Sequence, residues 1–218
     1  MKENLNFYLG KQKSKSDCGG EFIDKMHTDW FGNYERLEVD HGYIQWLFPI
    51  REPGMNPLSE PLTAHEIDQM KPNPEVRTRL LTSYRLILDF FGMRLVDDAT
   101  GEIARKEGEA WKPQYRNLQT SRHNYLRITR ILKCLGELGL EHFQAPLCSH
   151  FMREVFGTGT GSGASGPLSN CAESLALYWI PVIKDDAARA SLKAEVEKRL
   201  PGVYDPPSKG KGKGKGTP

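Results

Sequence analysis

A catalyst or metal centre in this chain would have to be assembled from six histidines, at positions 27, 41, 65, 123, 142 and 150, and four cysteines, at 18, 134, 148 and 171. Nucleophilic catalysis needs a serine or cysteine in a strained turn with a base and an acid in reach, and no G-x-S-x-G elbow accompanies these histidines. His142, Cys148 and His150 come nearest to a ligand group. On a helix, however, Cys148 and His150 point about 200° apart and cannot face one ion. Asp97 and Asp98 are adjacent rather than alternate, and Gly101 follows too late for a calcium loop, so they read as a solvated turn. Gly161-x-Gly163-x-x-Gly166 matches a dinucleotide fingerprint as text, yet a predicted helix precedes it where a buried parallel strand is required. The residues therefore assign no catalytic, metal or cofactor site, and the expectation is a protein that is not an enzyme.

Binding chemistry is better represented. Within Ser121 to Phe156, Tyr125, Ile128, Ile131, Leu132 and Leu135 fall in one helical sector, the stripe of a helix that buries one side. His123, Arg127, Arg130 and Lys133 fall in the next sector. One rod thus shows an apolar face to a core and a cationic flank to something else, although such arginines also serve by laying their stems along a core edge. Gly136 and Gly139 lie where this helix should stop. A partner helix is predicted from about Ala145 and Pro146, with Leu147, Phe151 and Val155 in register.

The elements that must position this hairpin follow from composition and punctuation. At 218 residues the chain suits one domain. Formal net charge is +2, and leaving out Lys209, Lys211, Lys213 and Lys215 gives 2 − 4 = −2, so the body is nearly neutral and nucleic acid is an unlikely partner by charge. The Lys/Gly tail at 205–218 is predicted to be disordered. Scattered cysteines, no secretory leader and no apolar run of spanning length give the expectation of an intracellular protein with free buried thiols. Helices are expected at Phe22 to Trp30, Asn33 to Glu38, after a capping Asp40 through Tyr43, Trp46 and Phe48, from the Thr63/Glu66 capping box to Met70, and from Asn73 and Pro74 to Phe91. A hairpin or ordered turn is expected over 93–105, and a polar loop anchored by Trp111 and Tyr115 over 106–120. A flexible glycine-rich linker follows at 157–167. Beyond it come a helix through Leu168, Cys171, Leu175 and Tyr178, broken at Pro181, and a last one lined by Ala188, Leu192, Val196 and Leu200, both docking on the main body. The fold class is all-α: a single compact multi-helix domain at 1–156 with one small hairpin, completed by C-terminal helices at 168–204.

NLNFYLG at 4–10, FIDKM at 22–26, NYERLE at 33–38, HGYIQWLFPIREPG at 41–54, PLT at 61–63 and SRHNYLRITRILKCLGELGLEHFQAPL at 121–147, in that order and spacing, resemble the opioid growth factor receptor family. The resemblance covers about 4–156. It implies a helical domain that binds a short opioid peptide of the enkephalin type, is linked to growth regulation, and associates with the nuclear envelope or other membranes without spanning them. Such a peptide asks for an acid, aromatic contacts and an arginine fork. The matched segments offer Glu52, Glu137 and Glu141, Tyr43 and Trp46, and Arg122, His123, Arg127 and Arg130. The alternative, read from the wheel alone, is a helical module docking protein or nucleic acid through the basic face of 123–135.

Overall fold

Local sequence signals start most of the helices. Thr63 accepts from the Glu66 amide while Glu66 returns the bond to Thr63 N, a capping box that opens α5 (Ala64–Met70). Asn73 accepts from the amides of Glu75 and Val76 and Pro74 takes the first turn of α6 (Pro74–Phe90), the long central helix. Before them lie α1 (Glu3–Tyr8), α2 (Ile23–Asp29), α3 (Tyr34–Val39) and α4 (Tyr43–Leu47). The hairpin pairs β1 (Met93–Leu95) with β2 (Ile103–Arg105), antiparallel, with Arg94 opposite Ala104. Then follow α7 (Lys112–Thr120), α8 (His123–Glu137), a 3-10 turn at Glu141–Phe143, α9 (Gln144–Phe156), an irregular helical run from Ser169 to Val182 that contains the short α10 (Ala172–Ser174), and α11 (Asp186–Arg199). The structure is a computed structural model that describes residues 2–16, 19–157 and 162–205. The tail from 206, Cys18 and Gly161 lie outside the described residues.

One continuous core holds these elements together. Tyr84, Ile87, Ile128, Leu135, Phe151 and Trp46 belong to it, all at most 1% exposed, so the hairpin does bury its apolar stripe with the cluster at 43–48. Tyr8 on α1 donates its hydroxyl to the Leu47 carbonyl. Trp179 packs between Phe151, at 4.6 Å between ring centres, and Tyr125, at 6.0 Å. Cys134, Cys148 and Cys171 are free and buried, and burial raises all three thiols, that of Cys171 to about 12.

Four expectations need correction. Residues 112–120 form α7 rather than loop, because Trp111 and Tyr115 are joined by Leu118 in a helical repeat that packs inward. Tyr178 is 57% exposed, and the buried ring is Trp179, since the run at Leu175–Trp179 is a π-turn that advances the register by one residue. Residues 162–167 are tied down: Gly163 N donates to Arg199 O and Gly166 N to Val155 O, both at 2.8 Å. Gly136 lies inside α8, where a Cβ would come 2.7 Å from Gln144 Nε2, and the chain turns instead at Gly139, whose φ is +84°.

Candidate functional site

The basic flank of α8 faces the protein's own 37–55 segment, which corrects the reading of it as an outward cationic face. Arg127, 4% exposed, donates to the carbonyls of Leu37 (2.7 Å), Glu38 (3.3 Å) and Asp40 (3.2 Å) and to Asn124 Oδ1 (3.1 Å). Three of these acceptors are peptide oxygens at the end of α3, which needs donors and attracts positive charge. Arg130 Nε donates to Phe48 O at 2.8 Å, receiving the end of α4 in the same way. Lys133 pairs with Glu52 at 2.6 Å, and that bond holds the carboxyl below its usual range. His123 Nε2 lies 2.8 Å from Glu38 Oε1, out of hydrogen-bond alignment, so the contact is electrostatic.

Between α8 and residues 41–55 a groove remains. Its larger hollow, about 330 Å³, has Ile44, Ile50, Pro53 and Leu126 as apolar lining and His41, His123, Arg127, Arg130 and Lys133 as charged or titratable lining. A second hollow of about 210 Å³ shares His41 and Met55 with it and adds Val39, Asp40 and Asn56. Three large apolar side chains stand out into solvent around this opening: Val39 at 65%, Leu126 at 72% and Met55 at 89% exposed. Asp40 accepts from Gly42 N through Oδ1 at 2.8 Å, a local turn rather than a cap on α4, while its buried Oδ2 accepts from none. Burial and the nearby Arg127 lower the His123 pKa despite Glu38. For Glu38 burial works the other way, but Asn117, Asn124 and His123 outweigh it and keep the carboxyl low.

Of the candidate residues, His123, Arg127 and Arg130 come together on this groove, with Glu52 attached to its rim through Lys133. Glu137 pairs with Arg51 at 3.1 Å. Tyr43 and Trp46 are core residues: Tyr43 donates to Leu37 O and Trp46 Nε1 to Lys15 O, and neither ring lines the hollow. Arg122 and Glu141 are exposed and do not line it either. Sequence reasoning missed the apolar lining at Ile44, Ile50, Pro53 and Leu126. Only Leu126, a leucine on the polar side of the α8 wheel, signalled it.

His142, Cys148 and His150 are not one site. Cys148 is in the core, His150 meets Tyr115 Oη at 2.9 Å, and exposed His142 meets Asp98 O at 3.2 Å. Among the described residues no group of three or more His, Cys, Asp or Glu is arranged to hold a metal, and no helix is long and apolar enough to cross a membrane.

These features define a helical domain with an apolar groove walled by the basic helix α8. The family model described as the opioid growth factor receptor (OGFr) conserved region matches residues 1–201, and the chain belongs to that family. It is 39% identical over 210 residues to opioid growth factor receptor-like protein 1 of Mus musculus, covering 94% of this chain and 43% of that protein. It is 48% identical over 152 residues to the opioid growth factor receptor of Rattus norvegicus and 47% to that of Homo sapiens, covering 70% of this chain and 26% and 22% of those proteins. The chain thus spans less than half the length of these curated relatives. No solved structure matches it.

Proposed function

We propose that this domain is a non-catalytic receptor module that binds a short peptide of the enkephalin type in the groove between α8 and residues 41–55, in a role linked to growth regulation. The observation that carries the reading is the groove itself: an apolar lining with cations on one side and, in the adjoining hollow, an acid with an unpaired oxygen. A hollow of about 330 Å³ is at the small end of ligand sites and suits one or two side chains of a peptide rather than all of it. Asp40 suits a free amine, the lining an aromatic or aliphatic side chain, and the basic wall a carboxylate. The names of the relatives support the same class of ligand. The reading takes the protein to be intracellular, cytoplasmic or nuclear, meeting membranes only at their surface.

Calorimetric titration of the purified chain with an enkephalin-type peptide tests it. Saturable one-to-one binding is expected, weakened by Leu126→Asp, a substitution at a 72% exposed position that leaves the fold intact. Absence of heat with the unaltered chain, together with no shift of its amide spectrum, overturns the reading. A short duplex DNA added at low salt is expected to bind no better than a neutral polymer, because Arg127 and Lys133 are already engaged within the chain and the body is nearly neutral.

A further inference from the structure

Arg130 differs from the other cations of the groove. Arg127 has four acceptors and Lys133 has Glu52. A guanidinium carries five N–H donors, and Arg130 commits one of them, Nε, to Phe48 O. Glu52, whose field reaches Arg130, is held by Lys133, and no carboxylate among the described residues pairs with Arg130. Burial pushes its pKa down to about 10, so at neutral pH it remains charged in surroundings that disfavour the charge. A partly dried cation of this kind gains most from an anion that also supplies acceptors. Arg130 lines the hollow, and its Nη1 approaches Gly54 so closely that a Cβ there would lie 3.0 Å from it and 2.6 Å from Gln45 Cγ. Beside it stand the apolar side chains of Ile44, Ile50 and Pro53.

We propose that Arg130 is the anchor for a carboxylate that sits next to an apolar side chain, namely the free carboxyl terminus of a peptide ending in a hydrophobic residue. This rests on the peptide-groove reading and adds a polarity to it. The last side chain settles on Ile44, Ile50 and Pro53, the terminal carboxylate receives the Nη donors, and the rest of the peptide runs toward His41 and Met55. A carboxamide has one oxygen and a competing N–H donor, so it cannot replace the two-oxygen acceptor that a fork recognises.

The test uses N-acetyl-methionine and its carboxamide on the full chain, reading the arginine Nε–Hε signals by NMR, alongside calorimetry with an enkephalin-type peptide as free acid, as carboxamide and as N-acetylated acid. The acids are expected to move the Arg130 signal saturably and to bind about tenfold or more tighter than the matching amides. Arg130→Lys keeps the charge but loses the fork and should abolish that preference, with circular dichroism reporting the fold. Acid and amide binding equally, or an unmoved Arg130 signal, overturns the inference on the unaltered chain, whatever the variant does. If peptide acid and amide bind equally well, the groove reading stands and this inference falls. If N-acetyl-methionine is selected while no peptide binds, the reverse holds. Loss of binding on N-acetylation alone, with amidation harmless, would assign the anchoring to the amino end and overturn the inference as well.

Discussion

Replacing Arg127 by methionine keeps the length of the stem but takes the Arg127 donor from the carbonyls of Glu38 and Asp40 and leaves Leu37 O with the Tyr43 hydroxyl alone, and we expect a loss of about 3 kcal/mol, seen as a lower urea midpoint with an unchanged slope. Lysine should rescue little, because one ammonium cannot reproduce the fork. His150 supplies a pH prediction. Burial, the largest cause, pushes its pKa down to about 4 from an ordinary value of 6.5, despite Glu154. The unfolded chain therefore takes up a proton that the folded one refuses. Stability from this residue is complete above pH 6.5 and is lost as pH falls toward 4, on the order of 3 kcal/mol across that window. Thermal melts from pH 7.5 to pH 4.5 should steepen downward in the parent and flatten in His150→Gln, which keeps a polar partner for Tyr115. Residue types and spacing disclosed which side chains of α8 turn inward. They could not tell whether an arginine beside an apolar stripe bonds to water or to a carbonyl some 90 residues earlier, because that depends on where α3 ends in space.

At the scale of elements, Glu66 joins two helices. Besides its capping box on α5 it accepts from Asn4 N at 2.9 Å and Leu5 N at 3.3 Å, so the same buried carboxylate satisfies first-turn amides of α1. Glu66→Ala should cost about 2–3 kcal/mol, beyond an isolated cap, and should raise hydrogen exchange in α1 as well as α5. The capping box itself was legible as Thr63 and Glu66 at the right spacing. Its second role was not, since nothing at residues 4 and 5 announces a carboxylate 61 or 62 positions away. Residues 112–120 carry only Tyr115 and Leu118 as inward side chains among polar ones, so tertiary packing decides the helix α7 where local pattern is weak. The π-turn at Leu175–Trp179 likewise exchanged Tyr178 for Trp179, a shift of one residue that periodicity at 3.6 cannot foresee.

The whole molecule closes through Gln144. Its Nε2 donates to Leu132 O at 2.8 Å and Val182 O at 3.1 Å, and its Oε1 accepts from Lys184 N at 2.9 Å, which binds α8 to the C-terminal run. Gln144→Ala is expected to cost about 2–3 kcal/mol and to expose the Trp179 indole N–H, now bonded to Tyr125 O, to faster exchange. Val196 of α11, at 0% exposure, belongs to the same core as the body. The groove was less legible than the fold, since its lining comes from a loop and from the outer side of the α8 wheel. Because Arg127 both lines that groove and receives the end of α3, a guest resting there presses on the strut that steadies residues 37–40. Occupancy would thus be audible at a distance: the amide protons of Leu37 and Glu38, which line neither hollow, would exchange more slowly whenever the hollow is filled.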